Sequence, residues 1–98
     1  MNNVLNLLGL AYRAKKIAIG SDITIEEIKK KNCFLVVIDK DYSSSTEKQI
    51  KKLCETNNIP YITTFTMEEI SHSIGKKANI RILGVLDRGF SDSIVKSA

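Results

Sequence analysis

Two carboxylates separated by one residue follow the most apolar segment of the sequence. Residues 34–38 are all apolar, and Asp39 and Asp41 come directly after them. In open α/β sheets, ligands bind at the carboxyl ends of strands, where such a pair could hold Mg²⁺ or form an aspartyl phosphate. That chemistry also needs a lysine and further acids on later strands, where only Asp87 is found. We therefore favour a polar turn, and predict a protein that is not an enzyme and has no metal, cofactor or small-molecule substrate.

A glycine-led polar segment offers the chemistry of binding instead. Gly20, Ser21 and Asp22 open the stretch GSDITIEEIKKKN, which has a helical pattern. Glycine lets another backbone approach closely, and a helix amino terminus offers unpaired N–H groups and a positive dipole end. Glu26 and Lys30 follow Asp22 at four-residue intervals, so the three share one exposed face. A carboxylate there can accept hydrogen bonds from base edges while the amides bind phosphate.

Basic residues are in excess and occur in clusters. The 98 residues include 15 basic and 11 acidic side chains, which gives a net charge of +4. Such a balance permits an anionic partner without requiring one. Lys29 and Lys30 also suit the carboxyl end of a helix, and Lys76 and Lys77 form a second group. For any one cluster, a solvated helix face is the alternative explanation.

Helices and strands that must position these residues alternate along the chain. Hydrophobic periodicity and turn residues predict helices over residues 3–16, from 20, from 44, over 66–75 and over 91–96, and strands over 17–19, 34–38, 61–64 and 80–86. Three pairs have capping-box spacing and mark helix starts: Thr24 with Glu27, Ser44 with Glu47, and Thr66 with Glu69. The order α-β-α-β-α-β-α-β-α predicts a three-layer αβα sandwich around a four-stranded, mainly parallel or mixed sheet. We expect residues 1–98 to form one domain.

Cysteine usage and hydropathy bear on the compartment. Cys33 and Cys54 lie next to apolar residues, and no CxxC is present, so we predict two buried free thiols in a reducing cytosol. The longest apolar run, residues 34–38, is far shorter than the ~20 residues that span a bilayer. No signal-peptide pattern occurs at the amino terminus, and we expect a cytoplasmic protein.

Seven short motifs together resemble a known family of RNA-binding proteins. They are LGLAYRAKK (8–16), Gly20-x-Asp22, LVVIDKD (35–41), SSSTEK (43–48), IPY (59–61), SIGK (73–76) and LDRGF (86–90). The sequence is similar to the kink-turn-binding proteins of the ribosomal seven-Ae/thirty-e type, and especially to their small bacterial branch. The resemblance implies the αβα sandwich and RNA binding without catalysis, directed at bent, bulged RNA with tandem G·A pairs.

The resemblance implies RNA contacts at three places in the chain. Gly20 matches the family glycine that RNA approaches, and Asp22 matches a position usually held by asparagine. Lys40 and Asp41 match the loop after the following strand, and residues 75–78 match a loop before the last strand. The RNA-binding residues predicted in all are Gly20, Ser21, Asp22, Glu26, Lys29, Lys30, Lys40, Asp41, Lys76 and Lys77.

Two positions depart from the family pattern. Ile23 stands where a glutamate is frequent, and Glu26 stands where a lysine usually reaches a guanine O6 of the G·A pair. A carboxylate repels O6, although it could accept hydrogen bonds from guanine N1–H and N2–H. Losing one charge-assisted contact costs about 1.5–3 kcal/mol. These departures leave an alternative open: a protein-interaction module of the ribosome or transcription machinery whose RNA site has decayed. In either case we expect a monomer.

Overall fold

Alternating helices and strands make up residues 3–98, the part of the chain that the computed structural model describes. The elements are α1 (Asn3–Arg13), β1 (Ile17–Ile19), α2 (Ser21–Lys29), β2 (Leu35–Ile38), α3 (Ser45–Thr56), β3 (Tyr61–Ile62), α4 (Met67–Ser73), β4 (Ile82–Val85) and α5 (Arg88–Ser97). This order is the one that the sequence predicts. The predicted helix over residues 3–16 and the predicted strands over 61–64 and 80–86 are too long, whereas α5 begins earlier than predicted.

The four strands form one mixed sheet in the order β1-β4-β2-β3. β2 and β3 are parallel, and β4 runs antiparallel to both of its neighbours, β1 and β2. Of the two predicted alternatives, the mixed sheet is confirmed. β4 can reverse because residues 74–81 return the chain to the sheet edge at which β2 ends. There the Asp39 N–H donates to the Arg81 carbonyl oxygen at 2.7 Å.

Two apolar layers cover the faces of this sheet. Leu35 and Val37 of β2 pack in one cluster with apolar residues of α1, α4 and α5, whereas Val36 and Ile38 pack in the other with residues of α2 and α3. Alternate residues of a strand point to opposite faces, so a strand buried at every position must be covered on both sides. All four residues of β2 are fully buried. The predicted three-layer αβα sandwich is therefore confirmed.

Side-chain caps begin three of the helices. Ser44 accepts from the Glu47 N–H at 3.1 Å, Thr66 and Glu69 form a complete capping box, and Asp87 accepts from the Phe90 N–H at 2.9 Å. The aspartate cap starts α5 at Arg88, three residues before the predicted helix over 91–96. The predicted capping box at Thr24 is wrong, because Gly20 is the N-cap of α2 and Thr24 lies buried inside that helix.

Both cysteines are buried free thiols, as predicted. Burial raises the pKa of the Cys33 thiol to about 11 and that of the Cys54 thiol to about 12, so both stay protonated near neutral pH. Within residues 3–98, no helix is both long and apolar enough to cross a membrane.

Candidate nucleic-acid interface

The start of α2 is open to solvent. Gly20 follows β1 directly, donates its N–H to the Ile82 carbonyl oxygen at 2.9 Å, and has a φ of 95°. A Cβ built on Gly20 would meet no atom within 4 Å. Asp22 is exposed, and the side chain of Ile23 is among the most exposed apolar groups at 54%. Gly20 and Ser21 are half-buried, but the space beside the Gly20 Cα and the side chains of Asp22 and Ile23 are open to solvent, so a ligand can approach this helix end.

This helix end also lacks a side-chain cap. In α3, α4 and α5 a side-chain oxygen accepts from a first-turn N–H group, whereas Gly20 has no side chain to do so. The unpaired N–H groups carry the positive end of the helix dipole and favour an anionic or oxygen-rich partner. The amino terminus of α2 is therefore available to bind phosphate or base oxygens.

The loop after β2 lies beside this helix end, across the first residues of β4. Gly20 is hydrogen-bonded to Ile82 and Asp39 to Arg81, so the ends of β1 and β2 meet the beginning of β4 at one edge of the sheet. The Lys40 N–H donates to the Phe65 carbonyl oxygen at 2.9 Å, which fixes the backbone of the loop. The side chains of Lys40 and its neighbour in sequence, Asp41, remain exposed.

Asp39 holds this loop together and is not free to bind a cation. Its carboxylate accepts from the Asp41 N–H at 3.0 Å and from the Arg81 guanidinium at 3.3 Å, and only 4% of its surface is exposed. Both donors would compete with a metal ion. Among residues 3–98, no group of three or more His, Cys, Asp or Glu side chains is placed to hold one.

Arg81 is a candidate that the sequence analysis counted only among the basic residues. Its guanidinium pairs with Asp39 and lies 5.3 Å from the centre of the Tyr42 ring, while 45% of the side chain is exposed. It thus presents a fixed positive charge at the same sheet edge as Lys40. The pairing spans 42 positions in sequence, so no local pattern could have predicted it.

The polar face of α2 is occupied by an ion pair. Glu26 and Lys30 approach to 3.0 Å, and a second carboxylate, that of Glu27, lies 3.9 Å from the same ammonium. The hydrogen bond to Glu26 raises the pKa of Lys30 above its usual value. Lys29 and Lys30 stand at the end of α2 opposite Gly20. The structure therefore separates these two predicted lysines from the open end of the helix by most of its length.

The predicted second loop connects α4 to β4. Lys76 follows Gly75, which has a φ of 70°, and its ammonium lies 5.3 Å from the centre of the Tyr12 ring on α1. Lys76 is thereby directed towards α1, and both Lys76 and Lys77 are exposed. At the end of this connection the Arg81 carbonyl oxygen accepts from the Asp39 N–H, and the next residue, Ile82 of β4, accepts from the Gly20 N–H.

These features belong to a recognisable class of protein. The sequence profile of the ribosomal protein L7Ae/L30e/S12e/Gadd45 family matches residues 2–95, and the chain belongs to this family. It is 36% identical over 89 residues to the RNA-binding protein YlxQ of Bacillus subtilis strain 168, covering 91% of this chain and 88% of that protein. It is 33% identical over 87 residues to the RNA-binding protein YlxQ of Enterococcus faecium, covering 89% and 82% of the two chains.

A solved structure has the same fold. A protein described as having unknown function, from Bacillus halodurans, superimposes with a TM-score of 0.92 at 27% identity. The match covers 98% of this chain and 96% of that one. The family membership that the sequence motifs predict is thus confirmed, together with the fold.

Proposed function

We propose that the protein is a non-enzymatic RNA-binding protein that docks the amino terminus of α2 on a kink-turn or a related bulged RNA. The single observation that carries this proposal is the uncapped, solvent-open start of α2 beside the loop after β2. Two relatives at 33–36% identity are named RNA-binding proteins, which supports RNA as the ligand. Binding would stabilise the bent RNA by favouring that conformation over the extended one.

Four of the predicted residues, together with Arg81, have roles that follow from their chemistry. Gly20 leaves space for the RNA backbone, and the first-turn N–H groups of α2 bind oxygens of the RNA. Asp22 accepts hydrogen bonds from base N–H groups, because a carboxylate only accepts. Lys40 and Arg81 place positive charge against the phosphates of the adjoining RNA strands. Lys77 adds an exposed positive charge on the connection that follows α4.

A gel-shift comparison tests the proposal. The expected result is a complex with a kink-turn RNA that is at least about tenfold tighter than the complex with the same RNA after its G·A pairs have been replaced, because one charge-assisted contact is worth that much. Equal binding to both RNAs would reduce the interaction to nonspecific attraction between charges and contradict the proposal.

Asp22 allows a sharper version of this test. Asp22→Ala removes a negative charge, so general attraction to RNA should increase, whereas the proposed base contact should be lost. We expect discrimination between the two RNAs to fall about tenfold or more. Glu68→Ala is the matched control, since Glu68 is an exposed carboxylate in the first turn of α4. If both variants change discrimination equally, Asp22 does not read a base.

A second candidate function is a protein-interaction module of the ribosome or transcription machinery with a decayed RNA site. Glu26 favours it, because the family that the sequence resembles usually has a lysine at this position, and here Glu26 is paired with Lys30. Our proposal expects the wild-type chain to discriminate the two RNAs already, and Glu26→Lys to strengthen kink-turn binding by about tenfold. Glu55→Lys, which makes the same charge change at an exposed site on α3, should affect both RNAs alike. Discrimination that exists only after Glu26→Lys would support the decayed site.

A further inference from the structure

A second surface lies at the other end of the strands from the start of α2. An open groove of about 750 Å³ runs between the carboxyl ends of α2 and α3 and one face of α5. Phe34 lines this groove just before β2 and donates its N–H to the carbonyl oxygen of Val85. The groove therefore lies where β2 begins and β4 ends. Pockets that bind ligands in proteins commonly have about 300–1,000 Å³, so the groove is large enough for several side chains.

The rim of the groove carries unpaired positive charge. Lys31, Arg88 and Lys96 line it, and among residues 3–98 none of the three has an ion-pair partner. Asp92 is the one acid among the described residues that line the groove. The groove thus has a positive excess that a carboxylate-bearing partner would complement.

Part of the groove lining is apolar. Ile59 and Pro60 form one wall, and Val95 of α5 lies on the other with 45% of its surface exposed. Exposed aliphatic surface inside a concave site with a polar rim is typical of a protein-binding site. An apolar side chain inserted here would cover Val95 and be held between the two walls.

The aromatic ring in the groove is already occupied. The Arg88 guanidinium lies 5.1 Å from the centre of the Phe34 ring, and no other aromatic residue lines the groove within the described chain. Single-stranded nucleic acid is typically bound by stacking bases on free aromatic faces. The stacked Arg88 instead holds a guanidinium at the rim, where it can bind a carboxylate with two parallel hydrogen bonds.

We propose that this groove binds a short segment of a partner protein in which acidic residues flank an apolar side chain. The apolar side chain lies between Pro60 and Val95, and the carboxylates pair with Arg88 and Lys96. The four residues of β2 separate this groove from the start of α2 by about 13 Å, at roughly 3.3 Å per residue. Both surfaces can therefore be occupied at once, and the protein would join an RNA to another protein.

Selection from a phage-displayed library of random peptides on the full chain tests this inference. Peptides that bind wild type are synthesised, and their affinity is measured by fluorescence polarisation. We expect a consensus of Asp or Glu beside Leu, Ile or Phe. A failure to select such peptides, or a basic consensus, would overturn the proposal.

Two matched pairs of variants locate the binding. Lys96→Glu should weaken the selected peptides about tenfold or more by like-charge repulsion, whereas Lys48→Glu, at an exposed site on α3, should not. Val95→Ser should also weaken them about tenfold, whereas Leu10→Ser, at an aliphatic residue of similar exposure on α1, should not. Circular dichroism checks that all four variants are folded.

The same variants separate the proposed partner from RNA. A mixed-sequence single-stranded RNA is titrated against wild type and the Lys96→Glu and Lys48→Glu variants. We expect the two lysine variants to bind it equally. A loss confined to Lys96→Glu would assign the groove to RNA and overturn the peptide proposal, without bearing on the α2 site.

Discussion

Gly20 is required first by the conformation of its own backbone. Its φ of 95° lies in a region that residues with a side chain rarely adopt, and it caps α2 without a side-chain hydrogen bond. The sequence analysis recognised the glycine and the helix start but attributed the glycine to a ligand alone. Backbone torsion angles cannot be read from residue types, so this reason became visible only in the structure. The open space above Gly20 is a separate observation, and it is the one that bears on RNA.

The two roles of Gly20 can be separated by experiment. Gly20→Ala should lower the free energy of unfolding by about 1–3 kcal/mol, because a φ of 95° with a ψ of 161° is a conformation essentially confined to glycine. Gly75→Ala should do the same, since Gly75 has a φ of 70° and also faces open space. We expect the Gly20 variant to lose kink-turn affinity several-fold and the Gly75 variant, which lies in the loop of Lys77, to lose less, measured by gel shift at a temperature where both are folded. An equal loss in both would mean that strain, not access, explains the effect.

At the scale of elements, local sequence signals placed most helices and strands and missed one helix start. Apolar runs located β1, β2 and β4, and the polar pairs at Ser44 and Thr66 located two caps. The Thr24 pair had the same spacing, yet Thr24 lies inside α2 against Gly84 of β4. The packing of α2 on β4, two elements that are distant in sequence, determines the position of Thr24. Its hydroxyl is buried and has no hydrogen-bond partner.

Thr24 therefore gives a prediction about the packing of α2 on the sheet. Thr24→Val replaces a buried, unpaired hydroxyl with a methyl group of similar size, and should raise the free energy of unfolding by about 1 kcal/mol. Thr24→Ser keeps the hydroxyl, removes the methyl group near Gly84 and should lower that free energy. Urea denaturation of both variants beside wild type measures the effect. Destabilisation by valine would show that the hydroxyl is satisfied.

At the scale of the whole molecule, the direction of β4 determines which loops meet. Alternating helices and strands predicted the layers, but a mainly parallel sheet was one of two expectations, and the structure has the mixed one. The segment that reverses the chain before β4 brings Arg81 to the ends of β1 and β2. Predicting this contact requires the strand order, which no short motif contains. The same strand order places the groove lined by Phe34 and Val95 at the opposite end of the strands.

RNA binding at the start of α2, beside the ends of β1 and β2, is tested most directly by amide chemical shifts on titration with a kink-turn RNA. We expect the largest changes at Gly20–Ile23, at Lys40 and Asp41, and at Arg81, with small changes around Val95. These changes should shrink as salt is added, because binding to phosphates releases counterions. Changes centred on the groove at Phe34 and Val95, or no changes at Gly20–Ile23, would contradict the account.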